Sequence, residues 1–169
     1  VVAQASHNLT TTQLSMHNNL VVARDDAALF AAYERTWNDL RLDADVANYY
    51  RVDDGDGPTR AYFFPRTDGD PVPAVLDNIA CDRTSRVRVL MAYFTDARGA
   101  VAEALARRQR AGCAVEVVAG DAEIPLGSAV ASTLRAAGVK LVQYPERSGW
   151  SVHSKYLLID APYAGSTGH

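Results

Sequence analysis

The chain has 169 residues, 48% of them apolar and 22% charged, with a formal net charge of −3. That balance fits one globular domain with a real core, or two small ones, and leaves no global basic field to attract nucleic acid. No apolar run reaches the ~18 residues of a membrane span, and Val1-Val2-Ala3-Gln4 lacks the basic start and long apolar stretch of a signal peptide.

Residues 1–23 read as two short strands around a turn, the first from Val1-Val2-Ala3 and the second from Leu20-Val21-Val22, with Thr10-Thr11-Thr12 between them. Asp25 or Asp26 is placed to cap a helix running to about Arg41, with Leu29, Phe30, Tyr33, Trp37 and Leu40 on one apolar stripe. Those aromatics are read as core. Residues 43–59 form a turn-rich acidic linker around Asp53-Asp54-Gly55-Asp56-Gly57-Pro58. It lacks the late glutamate of a calcium-binding EF-hand and is read as a solvated loop marking the domain boundary.

From Arg60 the pattern becomes α/β. Strands are expected at Ala61–Phe64, Arg86–Phe94, Cys113–Ala119 and Val139–Tyr144, and helices over Val72–Cys81, Ala97–Ala111 and Ser128–Ala137. Gly112 and Gly138 stop the last two helices. The alternation implies a largely parallel or mixed sheet with helices against it. Cys81 and Cys113 are too few for a disulfide framework or a structural zinc site. They read as small buried hydrophobes, or as a single bridge if the protein is exported.

A final strand is expected around Val152-His153-Ser154-Lys155-Tyr156-Leu157-Leu158-Ile159-Asp160. Alternate side chains share a face, so His153 and Lys155 project together, while Asp160 points the other way towards a structural partner. Lys155 is one of only two lysines, with Lys140, in the chain. A proton carrier or nucleophile beside a fixed positive charge suits chemistry on a phosphate. The competing readings are a histidine satisfied by a backbone carbonyl, a lysine in a surface ion pair and an aspartate in a turn. His7 and His17, with no lysine at the matching spacing, are read as non-catalytic. Trp150 and Tyr156 either line an apolar pocket or pack in the core.

His153-x-Lys155-x4-Asp160 resembles the HxKx4D motif of the phospholipase D superfamily, and Ala5-Ser6-His7-Asn8 is similar to that family's GSxN segment. Tyr62-Phe63-Phe64-Pro65 resembles the strand opening the family's second half. The resemblance implies a phospholipase D-like α/β sandwich. Because the GSxN-like stretch precedes the HxK stretch, residues 1–42 resemble the tail of a first half and 60–169 a second half, with 43–59 between. A first HxKx4D is then expected upstream of Val1 and a second GSxN downstream of His169, and the isolated chain is expected to be inactive unless it dimerises.

By the same resemblance the protein is a phosphodiesterase working through a phosphohistidine, with no metal and no cofactor. His153, Lys155 and Asp160 are the implied catalytic motif, with Asp160 in a structural role within it. Lys155, Ser6 and Asn8 are the implied phosphate ligands. Family analogy makes His153 the general acid. Two departures stand out: Ala5 replaces the glycine of GSxN, and Asn19 occupies the position of an acidic residue that contacts the histidine. The implied substrate is a phospholipid, hydrolysed or transferred. A nuclease acting on nucleic acid is the second possibility, which the acidic balance opposes, and a non-catalytic scaffold half is the third. Export is suggested by family habit alone.

Overall fold

The computed structural model describes residues 1–42, 59–66, 69–120, 124–145 and 150–164. The acidic stretch 43–58, most of the loop expected after Tyr144, and Gly165-Ser166-Thr167-Gly168 lie outside the described residues. The chain divides into two compact units, one of Val1–Gln4, Val21–Pro71 and Gly165–His169, the other of Ala5–Leu20 and Val72–Ala164. Ser6 and Asn8 therefore belong to the same unit as His153.

In the first unit, β1 (Val2–Ala5) pairs with β2 (Leu20–Ala23) in a two-stranded sheet whose terminal residues mark the boundary. The helix α1 (Ala27–Arg41) begins where expected: the Asp26 carboxylate accepts the Leu29 N–H at 2.9 Å, satisfying one donor of the first turn. Its apolar stripe corrects the core reading. Leu29 and Ala32 are buried, but Phe30, Trp37 and Leu40 are 46%, 60% and 69% exposed. Burial is thus confined to two residues in the N-terminal half of the helix. Ala61–Phe64 also departs from expectation, since only an isolated bridge at Tyr62 forms. Pro65 brings no N–H to extend a ladder, and the Phe63 ring instead packs edge-on against Tyr33, with centroids 5.0 Å apart.

The second unit carries a mixed four-stranded sheet flanked by helices. Its strands are β3 (Arg86–Met91), β4 (Ala114–Gly120), β5 (Lys140–Tyr144) and β6 (Lys155–Asp160), in the order β5-β4-β3-β6. The β3/β4 and β4/β5 pairs are parallel, and β6 runs antiparallel to β3. Side chains alternate as a pleat requires. Val87, Val89, Val115, Val117 and Ala119 are buried against α2 (Pro71–Asp77), α3 (Gly99–Arg110) and α4 (Ser128–Ala136), which contribute Leu76, Leu105 and Leu134, all fully buried. The alternate residues Arg86, Arg88, Leu158 and Val142 lie on the sheet's other face and remain exposed.

Local chemistry explains the helix boundaries. Proline is tolerated in the first turn of α2, where an N–H would lack a partner. Gly112 and Gly138 have φ of 107° and 79°, left-handed conformations that end α3 and α4. At the start of α4 the Asp96 carboxylate accepts the Val130 N–H at 3.0 Å. Cys81 and Cys113 form a disulfide, with Cα atoms 4.9 Å apart, tying the chain after α2 to the residue before β4. Of the two readings of these cysteines, the bridged one holds. Among the described residues no helix is long and apolar enough to cross a membrane.

Candidate functional site

The segment carrying His153 is held by a distant stretch of chain. His17 forms a parallel bridge with Val152. Its N–H donates to the Ser151 carbonyl at 2.9 Å, and its carbonyl accepts the N–H groups of His153 (3.0 Å) and Ser154 (2.8 Å) and the Ser154 hydroxyl (2.9 Å). These bonds satisfy backbone groups that no regular strand serves, because β6 starts only at Lys155. His153 thus precedes the strand, where the sequence placed it within one. The Asn19 side-chain oxygen accepts the Lys155 N–H at 3.3 Å, at the point where the strand begins.

This arrangement delivers Asn18 to the imidazole. His153 Nδ1 lies 3.2 Å from Asn18 Oδ1. The Asn18 amide nitrogen donates to the carbonyls of Gln13 (3.0 Å) and Met16 (3.4 Å), so its oxygen must face His153. The same oxygen accepts the Ser6 hydroxyl at 3.0 Å, and Ser6 Oγ in turn accepts the Asn19 N–H at 2.9 Å. A continuous chain therefore runs from Asn19 N–H through Ser6 and Asn18 to His153. The amide expected to orient the histidine was Asn19. Asn18 takes that place, and Asn19 serves the strand instead. In an Asn-Asn doublet a one-residue change of register reverses which side chain faces the histidine.

Lys155 stands beside His153, as the two-residue spacing predicts. Its ammonium donates to the His153 carbonyl at 2.7 Å and stands 3.5 Å from His153 Nδ1, which pins a positive charge beside the ring. Partial desolvation lowers the Lys155 pKa below the ordinary lysine value, although much of the side chain is open to solvent. Tyr93 stands edge-on to the imidazole, with centroids 6.5 Å apart.

The remaining expected site residues are not assembled here. The Asn8 side chain is exposed and makes no hydrogen bond among the described residues; only its carbonyl is used, by Thr10 N–H and His7 Nδ1. The Ser6 hydroxyl is committed to Asn18, so it acts behind the histidine and not on a ligand. Asp160 lies at the far end of β6, five residues or about 17 Å from Lys155 along an extended strand, in register with Arg86 of β3. Its place opposite Arg86 agrees with a structural role.

His17 points the other way from His153, in step with its bridge partner Val152. Its Nε2 is 3.1 Å from the Tyr144 hydroxyl, and its ring is 5.5 Å from both the Tyr144 and Trp150 rings. His17 and Tyr144, with Val152, Ser154, Tyr156, Leu90 and Val118, line a cavity of about 420 Å³ on the reverse side of the segment. Sequence reasoning did not find this grouping; the only signal was His17 immediately ahead of the Asn18-Asn19 doublet. Among the described residues, no three His, Cys, Asp or Glu side chains converge as metal ligands. No family model, curated protein or solved structure matches the chain.

Chemically, the cluster offers an imidazole of fixed orientation, an adjacent ammonium for anionic oxygens, and a hydrogen-bonded support that keeps both in place. Such a set can hold an anion beside a nitrogen nucleophile or base.

Proposed function

We propose that the His153 cluster is a phosphodiester-cleaving site of the phospholipase D type, carried on a phospholipase D-like α/β sandwich. The observation that carries the reading is the convergence on His153 of Lys155 from one side and of Asn18, backed by Ser6, from another, within one compact unit and across 135 residues of sequence between Asn18 and His153. A surface histidine satisfied by a backbone carbonyl would need neither the ammonium at 3.5 Å nor the two-residue support behind it.

In this reading Lys155 neutralises the non-bridging oxygens of the diester, where charge builds as the phosphorus becomes five-coordinate. His153 exchanges a bond or a proton with the reacting group, and Asn18 with Ser6 keeps its ring aligned. The chemistry uses no cofactor. A second histidine motif, from the same polypeptide or from a second copy, completes the pair of groups that attack and protonate. The substrate class is a phospholipid, because an acidic chain disfavours the polyanionic backbone of nucleic acid.

The test is turnover of phosphatidylcholine vesicles and of single-stranded DNA by the protein and its His153→Asn variant. Lipid cleavage that His153→Asn abolishes is the expected result. Cleavage of DNA alone would move the substrate class, and equal lipid turnover by both proteins would remove His153 from the reaction.

A further inference from the structure

We infer that the first unit carries a binding site for a long-chain carboxylate, with the chain in a cavity walled by β1, β2, α1 and residues 59–64 and the carboxylate on Arg60. The site stands apart from the phosphodiester chemistry proposed above, because every residue around it belongs to the first unit and His153 to the second.

The cavity encloses about 500 Å³, within the ~300–1,000 Å³ of small-molecule sites. Its walls follow from the periodicity of the elements around it. Val2 and Gln4 lie on one face of β1, and Val21 and Ala23 on one face of β2, since alternate strand residues share a face. Leu29 and Tyr33, four residues apart on α1, fall on one stripe. Phe63 and Phe64 form the third side, with the Phe63 ring edge-on to Tyr33. Two polar groups of this lining satisfy each other, the Tyr33 hydroxyl donating to Gln4 Oε1. Burial raises the Tyr33 pKa, so the phenol brings no charge at neutral pH. Most of what remains is apolar surface open to water. Val21 is 62% and Phe64 53% exposed beside the cavity, and an apolar chain laid against them would remove that surface from solvent.

Charge selects the head group. Arg60 is the one charged residue among those lining the cavity, and no aspartate or glutamate lines it to oppose an anion. Arg60 is exposed, so it stands where the cavity meets solvent, and it makes no hydrogen bond or ion pair among the described residues. Arg66 is engaged over the Tyr62 ring, its guanidinium carbon 5.6 Å from the centroid. A single guanidinium presents a planar fork that matches one carboxylate through two parallel N–H···O bonds. A phosphate monoester carries nearly two charges and would leave part of that charge unmatched at one arginine. An uncharged alcohol gives the fork no anion, and a cationic chain meets it as a like charge. The ligand that suits both the apolar walls and the single arginine is a fatty-acid anion.

Calorimetric titration of the full chain with decanoate, at about pH 8 where carboxylates are ionised, tests the site. One molecule is expected to bind per chain. Octanoate, two methylenes shorter, is expected to bind about 15-fold more weakly, the factor given by burying two methylenes. Arg60→Gln and Val21→Glu change exposed side chains and leave the core of the unit intact. Each is expected to weaken decanoate at least about tenfold, the first by removing a charge-assisted pair and the second by setting a carboxylate against the ligand's own. Decyl phosphate and decyltrimethylammonium, of equal chain length, are expected to bind more weakly than decanoate. No decanoate binding, or equal binding by the unmodified chain and either variant, overturns the inference. Tighter binding of decyl phosphate overturns the carboxylate assignment, and equal affinity for octanoate and decanoate overturns the placement of the chain in the cavity. None of these readouts depends on diester cleavage, so this inference and the proposed function fail separately.

Discussion

Replacing Ser6 by alanine removes one oxygen and strands two partners. The Asn19 N–H loses its acceptor at 2.9 Å, and Asn18 Oδ1 loses one of its two donors. An N–H left without a partner costs about 1–3 kcal/mol when fully buried. Ser6 and Asn19 are half-buried, so water recovers part of this and about 1 kcal/mol is the appropriate figure. The Asn18 oxygen keeps His153, and its loss adds about 0.5 kcal/mol. The sum, about 1.5 kcal/mol, divided by a urea dependence of about 2 kcal/mol/M, lowers the unfolding midpoint by about 0.7 M. Urea titration followed by circular dichroism measures this directly. Ser6→Thr keeps the hydroxyl and is expected to recover at least half of the loss. A Ser6→Ala midpoint within about 0.2 M of the unmodified chain, or a Ser6→Thr protein as weak as Ser6→Ala, would refute the hydrogen-bonded chain that links Asn19, Ser6, Asn18 and His153.

The Cys81–Cys113 bridge closes a loop with a sequence separation of 32, and loop-closure entropy assigns it about 3.7 kcal/mol. Denaturation of Cys81→Ala/Cys113→Ala should show a loss of that order, and an unchanged midpoint would remove the bridge from the folded state. Alanine at Gly127 would put its Cβ 2.5 Å from the Asp96 backbone nitrogen and closer still to its carboxylate oxygen, which also accepts the Val130 N–H at 3.0 Å. Gly127→Ala is expected to cost about 1–3 kcal/mol, as overpacking does, and a thermal midpoint equal to that of the unmodified chain would contradict the close approach. Desolvation lowers the Lys155 pKa, so the folded chain binds fewer protons than the unfolded one between that lowered value and the ordinary value near 10.4. Lys155 should make stability rise with pH across this window while phosphate retention falls. Lys155→Met should lose that contribution, leaving the opposite slope from Tyr33, whose pKa burial raises.

The α/β unit was legible in the sequence because strand and helix periodicities agree there with the turn chemistry. Val87, Val89, Val115 and Val117 alternate, and Gly112 and Gly138 end their helices where left-handed backbone is needed. The first unit was less legible. A stripe at helical spacing on α1 shows which residues share a face, but not whether a partner covers it, and Trp37 and Leu40 are exposed. The aromatic run Tyr62-Phe63-Phe64 has strand propensity, yet Pro65 and packing on Tyr33 decide otherwise.

At the site, spacing alone brought out His153 and Lys155, since two residues apart is a local relation. Asn18 was not legible, because its contact spans 135 residues and depends on the His17–Val152 bridge setting the register. The Ser6 oxygen was anticipated as a ligand of phosphate, but no sequence pattern reveals that Asn18 would claim its proton. Asp160 and Asn8 matched a motif without reaching the histidine.

The central claim, that His153 and Lys155 form a phosphate-binding site, is tested most directly by calorimetric titration of the chain with tungstate, a tetrahedral oxyanion that requires no turnover. The account predicts one site, weakened by at least about tenfold in His153→Asn and in Lys155→Met, the loss expected for a charge-assisted hydrogen bond, and unchanged in Asp160→Asn. Equal binding by all four proteins, or no binding by the unmodified chain, would contradict it.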